Sequence, residues 1–132
     1  MKNMVLFIVT VSFLGCKGRN DMKHLLEYQN DNSYWIQKEK MKNGSYAYVG
    51  LQWIFYADGS SRPLSSANEN QKGSPSMLNM ESSSKGEWTF NHTDSTLKIC
   101  AVCVFKIKKV ARDTVFMSGK GYKGDFILVK HR

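Results

Sequence analysis

Apolar and polar residues alternate along most of the chain after residue 33, with the two-residue period that is typical of β-strands. In the most aromatic stretch, Leu51, Trp53 and Phe55 share one face, whereas Ile54 and Tyr56 share the other. Clusters of turn residues separate such stretches at short intervals. The pattern predicts eight strands, at residues 34–42, 46–56, 60–64, 85–91, 96–100, 103–110, 114–118 and 125–131.

The short connections between these strands indicate an antiparallel arrangement. Asn43-Gly44 and Asp58-Gly59 are dipeptides that favour tight hairpins. Most connections are too short for the helical crossovers that parallel strands require. Eight consecutive antiparallel strands leave no exposed edge when they close on themselves. We therefore expect an all-β fold, an eight-stranded antiparallel up-and-down barrel, with a two-sheet sandwich as the alternative.

Two segments depart from the strand pattern. Residues 22–28 carry apolar side chains at helical spacing, which predicts one short helix before the first strand. Residues 65–83 are rich in Ser, Asn, Gly and Pro and predict a long loop, with a single apolar cluster at residues 77–80. A solvated surface loop is the simpler interpretation, and a mobile rim or a lid over a binding site is the alternative.

The N-terminus has the pattern of a secretory signal. The apolar run at residues 4–14 is shorter than the roughly 20 residues that cross a bilayer. Phe13-Leu14-Gly15-Cys16 resembles the bacterial lipobox, which implies cleavage before Cys16 and a lipid on that residue. We expect a signal peptide at 1–15, a tether with a short helix at 16–33, and one barrel domain at 34–132.

The net charge of +8 is unevenly distributed along the chain. Residues 98–132 hold nine Lys or Arg against two acids, whereas residues 17–97 hold nine of each. A basic surface can bind anionic lipid, an acidic protein or nucleic acid, and export makes nucleic acid unsuitable. Lysines that simply alternate outward along strands are the alternative to a binding face. The candidates for a face that binds an acidic protein are Lys106, Lys108, Lys109, Lys120 and Lys123.

Two cysteines remain once Cys16 carries a lipid. In an oxidising compartment, Cys100 and Cys103 can close a disulfide, and two buried free thiols are an equally good interpretation. A zinc site would need two further ligands, but the three histidines are scattered singly along the sequence. We therefore expect no metal and no other cofactor.

Several stretches carry a resemblance to a known family. Residues 53–60 form an aromatic strand that leads into an Asp-Gly turn, and residues 86–90 form a Gly-x-Trp strand. With the later strands in the expected order, residues 34–131 resemble the small lipocalin-like domains of lipoproteins from Bacteroidetes-type bacteria. The resemblance implies a tethered lipocalin-like barrel, with Lys130 or a neighbouring cation over Trp35 at the barrel floor. A plain core tryptophan is the alternative.

The sequence contains no recognisable catalytic constellation, since it has no nucleophile elbow and no His with a partner at a known spacing. We expect a non-enzymatic lipoprotein that binds a small apolar ligand or lipid. An inhibitor or immunity protein that guards the envelope against a secreted toxin is the alternative, through the basic face or the 65–83 loop. In the bacteria whose lipoproteins this chain resembles, acidic residues soon after the lipidated cysteine are associated with surface export. None lies between Cys16 and Asp21, so the resemblance implies an anchor that faces the periplasm. The candidate ligand-lining residues are Trp53, Phe55, Trp88, Phe90, Phe105 and Phe116.

Overall fold

The computed structural model describes residues 22–27, 33–75, 86–100, 102–121 and 123–131. The predicted signal peptide, the lipidated Cys16 and the apolar cluster at residues 77–80 lie outside these ranges. The described residues are all-β apart from one short helix, so the prediction of an all-β chain with a short helix before the first strand is confirmed.

The strands follow the predicted order closely. Residues 22–26 form helix α1. The predicted strand at 85–91 is divided into two at Trp88, and a two-residue strand, β4, occurs within the predicted loop. The strands are β1 (Tyr34–Lys40), β2 (Tyr46–Phe55), β3 (Ser60–Ser65), β4 (Ser74–Pro75), β5 (Gly86–Glu87), β6 (Thr89–Asn91), β7 (Thr96–Lys98), β8 (Val104–Ala111), β9 (Thr114–Gly119) and β10 (Asp125–His131).

These strands form one antiparallel sheet with the order β4-β3-β2-β1-β10-β9-β8-β7-β6. The sheet curls into a half-barrel around a hydrophobic core. Residues 86–91 pair in two directions, because β5 is antiparallel to β3 whereas β6 is antiparallel to β7. Between them, the backbone N–H of Trp88 donates to the carbonyl of Gly59 at 2.9 Å.

Glycines at two predicted hairpins have the conformation that those turns require. Gly44 and Gly59 have φ angles of 87° and 85°, in the left-handed region that side chains with a Cβ rarely adopt. Each turn is stabilised by a side chain: Asn43 Oδ1 accepts from the N–H of Ser45, and Asp58 Oδ1 accepts from that of Ser60. Local sequence therefore determines where β1 ends and β2 turns back.

Helix α1 packs against the inner face of the curled sheet. Met22 and Leu26 are buried in the main core cluster, and the indole N–H of Trp35 donates to the Leu26 carbonyl at 3.2 Å. Glu27 continues the contact through a bridge to Phe55. The helix thus covers the end of the sheet at which β2 ends and β3 begins.

Residues 66–73, which we call the strap, lie across the outer face of β1–β3. The strap covers a second apolar cluster made of Tyr34, Ile36, Ile54 and Leu64. Most residues of this part of the predicted 65–83 loop are exposed, as expected for a surface loop, but the segment is also fixed to the sheet, which the sequence did not predict. The physical reason is the polar pinning that is described below.

Candidate functional site

The interior of the curled sheet is filled by large side chains. Trp53 and Phe55 are nearly parallel with ring centroids 6.4 Å apart, and Phe55 meets Trp88 edge to face at 5.5 Å. Phe105 contacts Phe126 in the same manner at 5.4 Å. Such offset and edge contacts stabilise a core beyond the burial of apolar area alone.

Five of the six candidate ligand-lining residues lie in or against this core. Phe116 is on the opposite face of β9, because its neighbours Val115 and Met117 are the residues that point inward. Its ring contacts Tyr46 edge to face at 6.5 Å. The alternation of β9 was predicted, but the sequence did not indicate which of its two faces is buried. The five that join the core are Trp53, Phe55, Trp88, Phe90 and Phe105.

Polar groups in this interior are paired with one another. The indole N–H of Trp53 donates to Gln37 Oε1 at 2.8 Å, and Ser61 Oγ donates to the Ile99 carbonyl at 2.8 Å. Gln37 interrupts the polar and apolar alternation of β1, and its bond to Trp53 explains why a polar residue occupies an inward position. These four groups already have hydrogen-bond partners and are not available to a ligand.

A groove opens at the end of the sheet next to helix α1. Its volume is about 350 Å³, and it lies between Lys23, the hairpin residues 57–59 and the strand residues that start at Trp88. Trp88 and Phe90 line it, so two of the candidate ligand-lining residues meet there. The volume is at the lower end of the range for small-molecule pockets, about 300–1,000 Å³.

The groove combines aromatic walls with polar residues. The Trp88 indole N–H donates to the Tyr56 carbonyl at 2.9 Å, which holds the ring in place. Phe90 meets His92 edge to face, with ring centroids 4.7 Å apart. Lys23 lies 3.7 Å from the carboxylate of Glu27 in the same helix. The groove therefore offers apolar contact area beside a cation and an imidazole.

The predicted basic face is divided by ion pairs. Lys108 Nζ is 2.7 Å from Asp125 Oδ1, and Lys120 Nζ is 3.6 Å from Asp94 Oδ2. Lys109 lies over the Phe116 ring at 5.8 Å. These contacts occupy three of the five candidate lysines, while Lys106 and Lys123 are exposed.

Both acidic partners have lowered pKa values. The pKa of Asp125 lies below its usual value because its carboxylate accepts a hydrogen bond from Lys108, with further attraction from Lys40. The pKa of Asp94 is lowered mainly by its hydrogen bond to Thr96, and Lys120 adds to the effect. The two carboxylates are therefore ionised at neutral pH and neutralise part of the basic surface.

The cysteine pair closes a narrow turn between β7 and β8. The structure joins Cys100 to Cys103 by a disulfide. The Cys103 N–H donates to the Cys100 carbonyl at 3.2 Å, and the Ile99 N–H donates to the Cys103 carbonyl at 3.0 Å. Val102 lies at the tip of this turn and is 82% exposed.

Buried polar contacts hold the strap on the outer face. Gln52 is fully buried; its side chain donates to the Gln71 carbonyl at 2.8 Å and accepts from the Gly73 N–H at 2.9 Å. Tyr34 and Tyr48 donate to strap carbonyls at 3.0 and 2.8 Å. Burial raises the pKa of both tyrosines, so they remain protonated donors.

An ion pair adds to these contacts: Lys38 Nζ lies 2.6 Å from Glu69 Oε2. The sequence pattern did not indicate this pinning, because its donors and acceptors come from separate segments. A polar residue in the middle of an aromatic strand, Gln52, was the available signal.

Trp35 lies beneath a cation, as the family resemblance implied. Lys130 Nζ is 5.8 Å from the centroid of the Trp35 ring, and the two residues are directly paired between β1 and β10. This distance is within the range of cation–π contacts. Among the described residues, no group of three or more His, Cys, Asp or Glu side chains is placed to hold a metal ion. That part of the chain also forms no helix that is long and apolar enough to span a bilayer.

Comparison with known proteins gives no identity. No protein family, no curated protein and no solved structure matches the chain.

Proposed function

We propose that the curled sheet is an eight-stranded, lipocalin-like up-and-down barrel, closed where residues 86–91 pair with β3 and with β7. The Trp88 N–H that donates to Gly59 supports this arrangement. Slow hydrogen exchange of the Trp88 amide, comparable with that of amides in β1, is the expected result. Exchange as fast as in an open turn would indicate an open sheet.

The protein is a non-enzymatic binding protein that is held at the bacterial envelope by a lipid on Cys16, facing the periplasm. It binds a small apolar or amphiphilic ligand in the groove beside helix α1. The observation that carries this proposal is the position of Trp88 and Phe90, which extend from the core to line a groove of about 350 Å³. Apolar walls with a few polar groups are the usual features of small-molecule sites.

The packed interior favours the groove over the centre of the barrel as the binding site. Trp53 and Phe55 are no more than 1% exposed, and helix α1 adds Leu26 at 0%. A ligand in the centre would have to displace these side chains and lose their contacts. An amphiphile at the groove only has to bury its apolar part against Phe90 and place an anionic group near Lys23.

Titration of the Cys16→Ser chain with anilinonaphthalene sulfonate, an apolar anion, tests this function. We expect a saturable one-to-one fluorescence increase that Ala57→Trp abolishes, since Ala57 lines the groove. Thr93→Trp is the matched control because Thr93 is an exposed turn residue outside the groove lining. Equal loss in both variants, or no saturable binding to the parent chain, would contradict the proposal.

A substitution at Lys23 tests how the polar side of the groove contributes to binding. Lys23→Glu should weaken binding of the sulfonate about tenfold, the order expected when a close attraction at the protein surface becomes a repulsion. Lys42→Glu makes the same charge change in the exposed turn between β1 and β2 and should have little effect.

A protein-binding inhibitor or immunity protein is a second candidate, and the pinned strap favours it. A surface loop that is already ordered binds a partner without a large loss of conformational entropy. Glu69 and Gln71 fix this segment through their carbonyls, while Asn68 and Asn70 are exposed. A toxin gene beside this gene, with a product that the chain neutralises, is the expected finding. Neutralisation that survives Asn68→Arg and Asn70→Arg together would exclude the strap as the contact.

A further inference from the structure

Val102 is the most exposed large apolar side chain in the described part of the chain. It stands at the tip of the turn that the Cys100–Cys103 disulfide closes. An isolated exposed valine needs no explanation in itself. This one differs because its turn is cross-linked at the base, so that it can enter an apolar environment without an ordering cost.

Lysines surround the base of this turn on the outer face. Lys98 is paired with Val104 across β7 and β8, and Lys106 is paired with Thr96 two residues further along. Both point outward, since their neighbours Leu97 and Phe105 are buried. Within the described ranges, neither lysine makes an ion pair or a side-chain hydrogen bond.

A third cation lies beside them. The backbone N–H of Lys120 donates to the Val104 carbonyl at 2.9 Å, which brings the end of β9 against the start of β8. Its side chain is 57% exposed and forms an ion pair with Asp94 at 3.6 Å, so part of its charge is neutralised. The exposed apolar tip is therefore adjacent to a group of three outward cations.

We propose that this face, the outer side of β7 and β8 with the Val102 tip, rests on an anionic lipid surface. Val102 enters the interface between head groups and acyl chains, and Lys98 and Lys106 lie among the head groups. Each lysine near an anionic bilayer strengthens association by about fivefold. The contact is weak by itself and suits a protein that is already held near the membrane.

The residues between the lysines favour lipid over a protein as the partner. Thr89, Thr96 and Ser118 occupy outward positions opposite Lys98 and Lys106 in the strand register. The half-buried Val104 lies opposite Lys98. A stable protein interface needs a desolvated apolar or aromatic centre, and one half-buried valine among polar residues does not supply it. A bilayer surface requires only positive charge and a small apolar tip.

Sedimentation of the Cys16→Ser chain with vesicles tests the proposal. We expect binding to phosphatidylcholine vesicles that contain about 30% phosphatidylglycerol, and no binding to pure phosphatidylcholine. Binding should fall as salt rises. Lys98→Glu with Lys106→Glu should weaken it at least about tenfold, and Val102→Asp about fivefold.

The matched control is Lys109→Glu with Arg112→Glu, which changes the net charge equally. Lys109 lies towards the other end of β8 and Arg112 in the turn that follows it, away from the Val102 turn, so this pair should alter vesicle binding by no more than about threefold. Equal losses in the two double variants would overturn the proposal, because the effect would then reflect net charge. No vesicle binding by the Cys16→Ser chain would also overturn it and leave an acidic protein as the occupant of this face. Neither result bears on the groove, whose probe titration involves other residues.

Discussion

The β1–β3 region and the β7–β9 region belong to one sheet but are buried in different ways. In β1, four successive residues from Tyr34 to Gln37 are buried, and in β2 the same is true from Gln52 to Phe55. In β8, by contrast, Phe105 is buried between an exposed Lys106 and a half-buried Val104. The first region is therefore covered on both faces and the second on one face only.

This difference distinguishes an outer face that is needed for stability from an outer face that is available to bind a partner. The strap uses the outer face of β1–β3 to bury a second apolar cluster, so that face contributes to stability. Nothing among the described residues covers the outer faces of β7 and β8, and their lysines remain exposed. The region of the sheet that the fold leaves uncovered therefore has a basic outer surface.

The largest effects on stability are expected from two single alanine substitutions at neighbouring positions in β2. Phe55→Ala should destabilise the protein by about 3–5 kcal/mol, and Ile54→Ala by about 2–4 kcal/mol, because both leave cavities although they point to opposite faces. Denaturant unfolding measures both. An Ile54→Ala effect of less than about 1 kcal/mol would mean that the outer cluster is not a true core.

A smaller effect is expected from releasing the strap. Gln52→Leu removes the hydrogen bonds to Gln71 and Gly73 and should lower the free energy of unfolding by about 1–3 kcal/mol. Proteases should then cleave within residues 66–73 faster than in the parent chain. Gln71→Ala, which keeps the backbone carbonyl that Gln52 uses, is the control and should change neither property. Unchanged resistance of the strap to proteases in Gln52→Leu would show that other contacts hold it on the sheet.

The smallest effects on stability are expected in the β7–β9 region, which is covered on one face only. Lys108→Ala should change the free energy of unfolding only slightly, as is usual for exposed ion pairs. It should raise the pKa of Asp125 towards its ordinary value, because the dominant hydrogen bond is lost. NMR titration of the carboxyl group measures this shift, and Lys109→Ala should leave it unchanged.

The sign of the pH effect follows from the direction of that shift. A carboxyl group with a depressed pKa in the folded state adds stability above its unfolded pKa. That contribution is lost as the pH falls through the folded pKa. The Lys108→Ala chain should therefore lose less stability than the parent chain on acidification. An identical acid dependence would show that the pair makes no contribution.

Much of this fold was predictable because short-range rules decide it. The hairpin at Asp58-Gly59 and the alternation of Leu51, Trp53 and Phe55 are local features, and the structure confirms the strands on either side. The placement of Phe116 on the outer face depends on which side of β9 meets the core, and alternation alone does not give that information.

The strap was missed for a related reason. Its contacts join Gln52, Tyr34 and Tyr48 to backbone carbonyls that are 19, 35 and 18 residues away, and a carbonyl has no sequence signature. A segment rich in Ser and Asn has the same composition whether it is solvated or pinned. Gln52, a polar residue in the aromatic part of β2, marked the position where the strap is held, and Gln37 marked the bond to Trp53 in the interior.

The central claim is that the interior is a packed core and that the small ligand binds outside it, in the groove beside helix α1. Methyl NMR of the Cys16→Ser chain, titrated with anilinonaphthalene sulfonate, tests this most directly. The account predicts shifts at Ala57 and Thr89, which line the groove, with the buried methyl groups of Val115 and Leu128 unchanged. Shifts at Val115 and Leu128 that match or exceed those at Ala57 would contradict it, because they would place the ligand in the core.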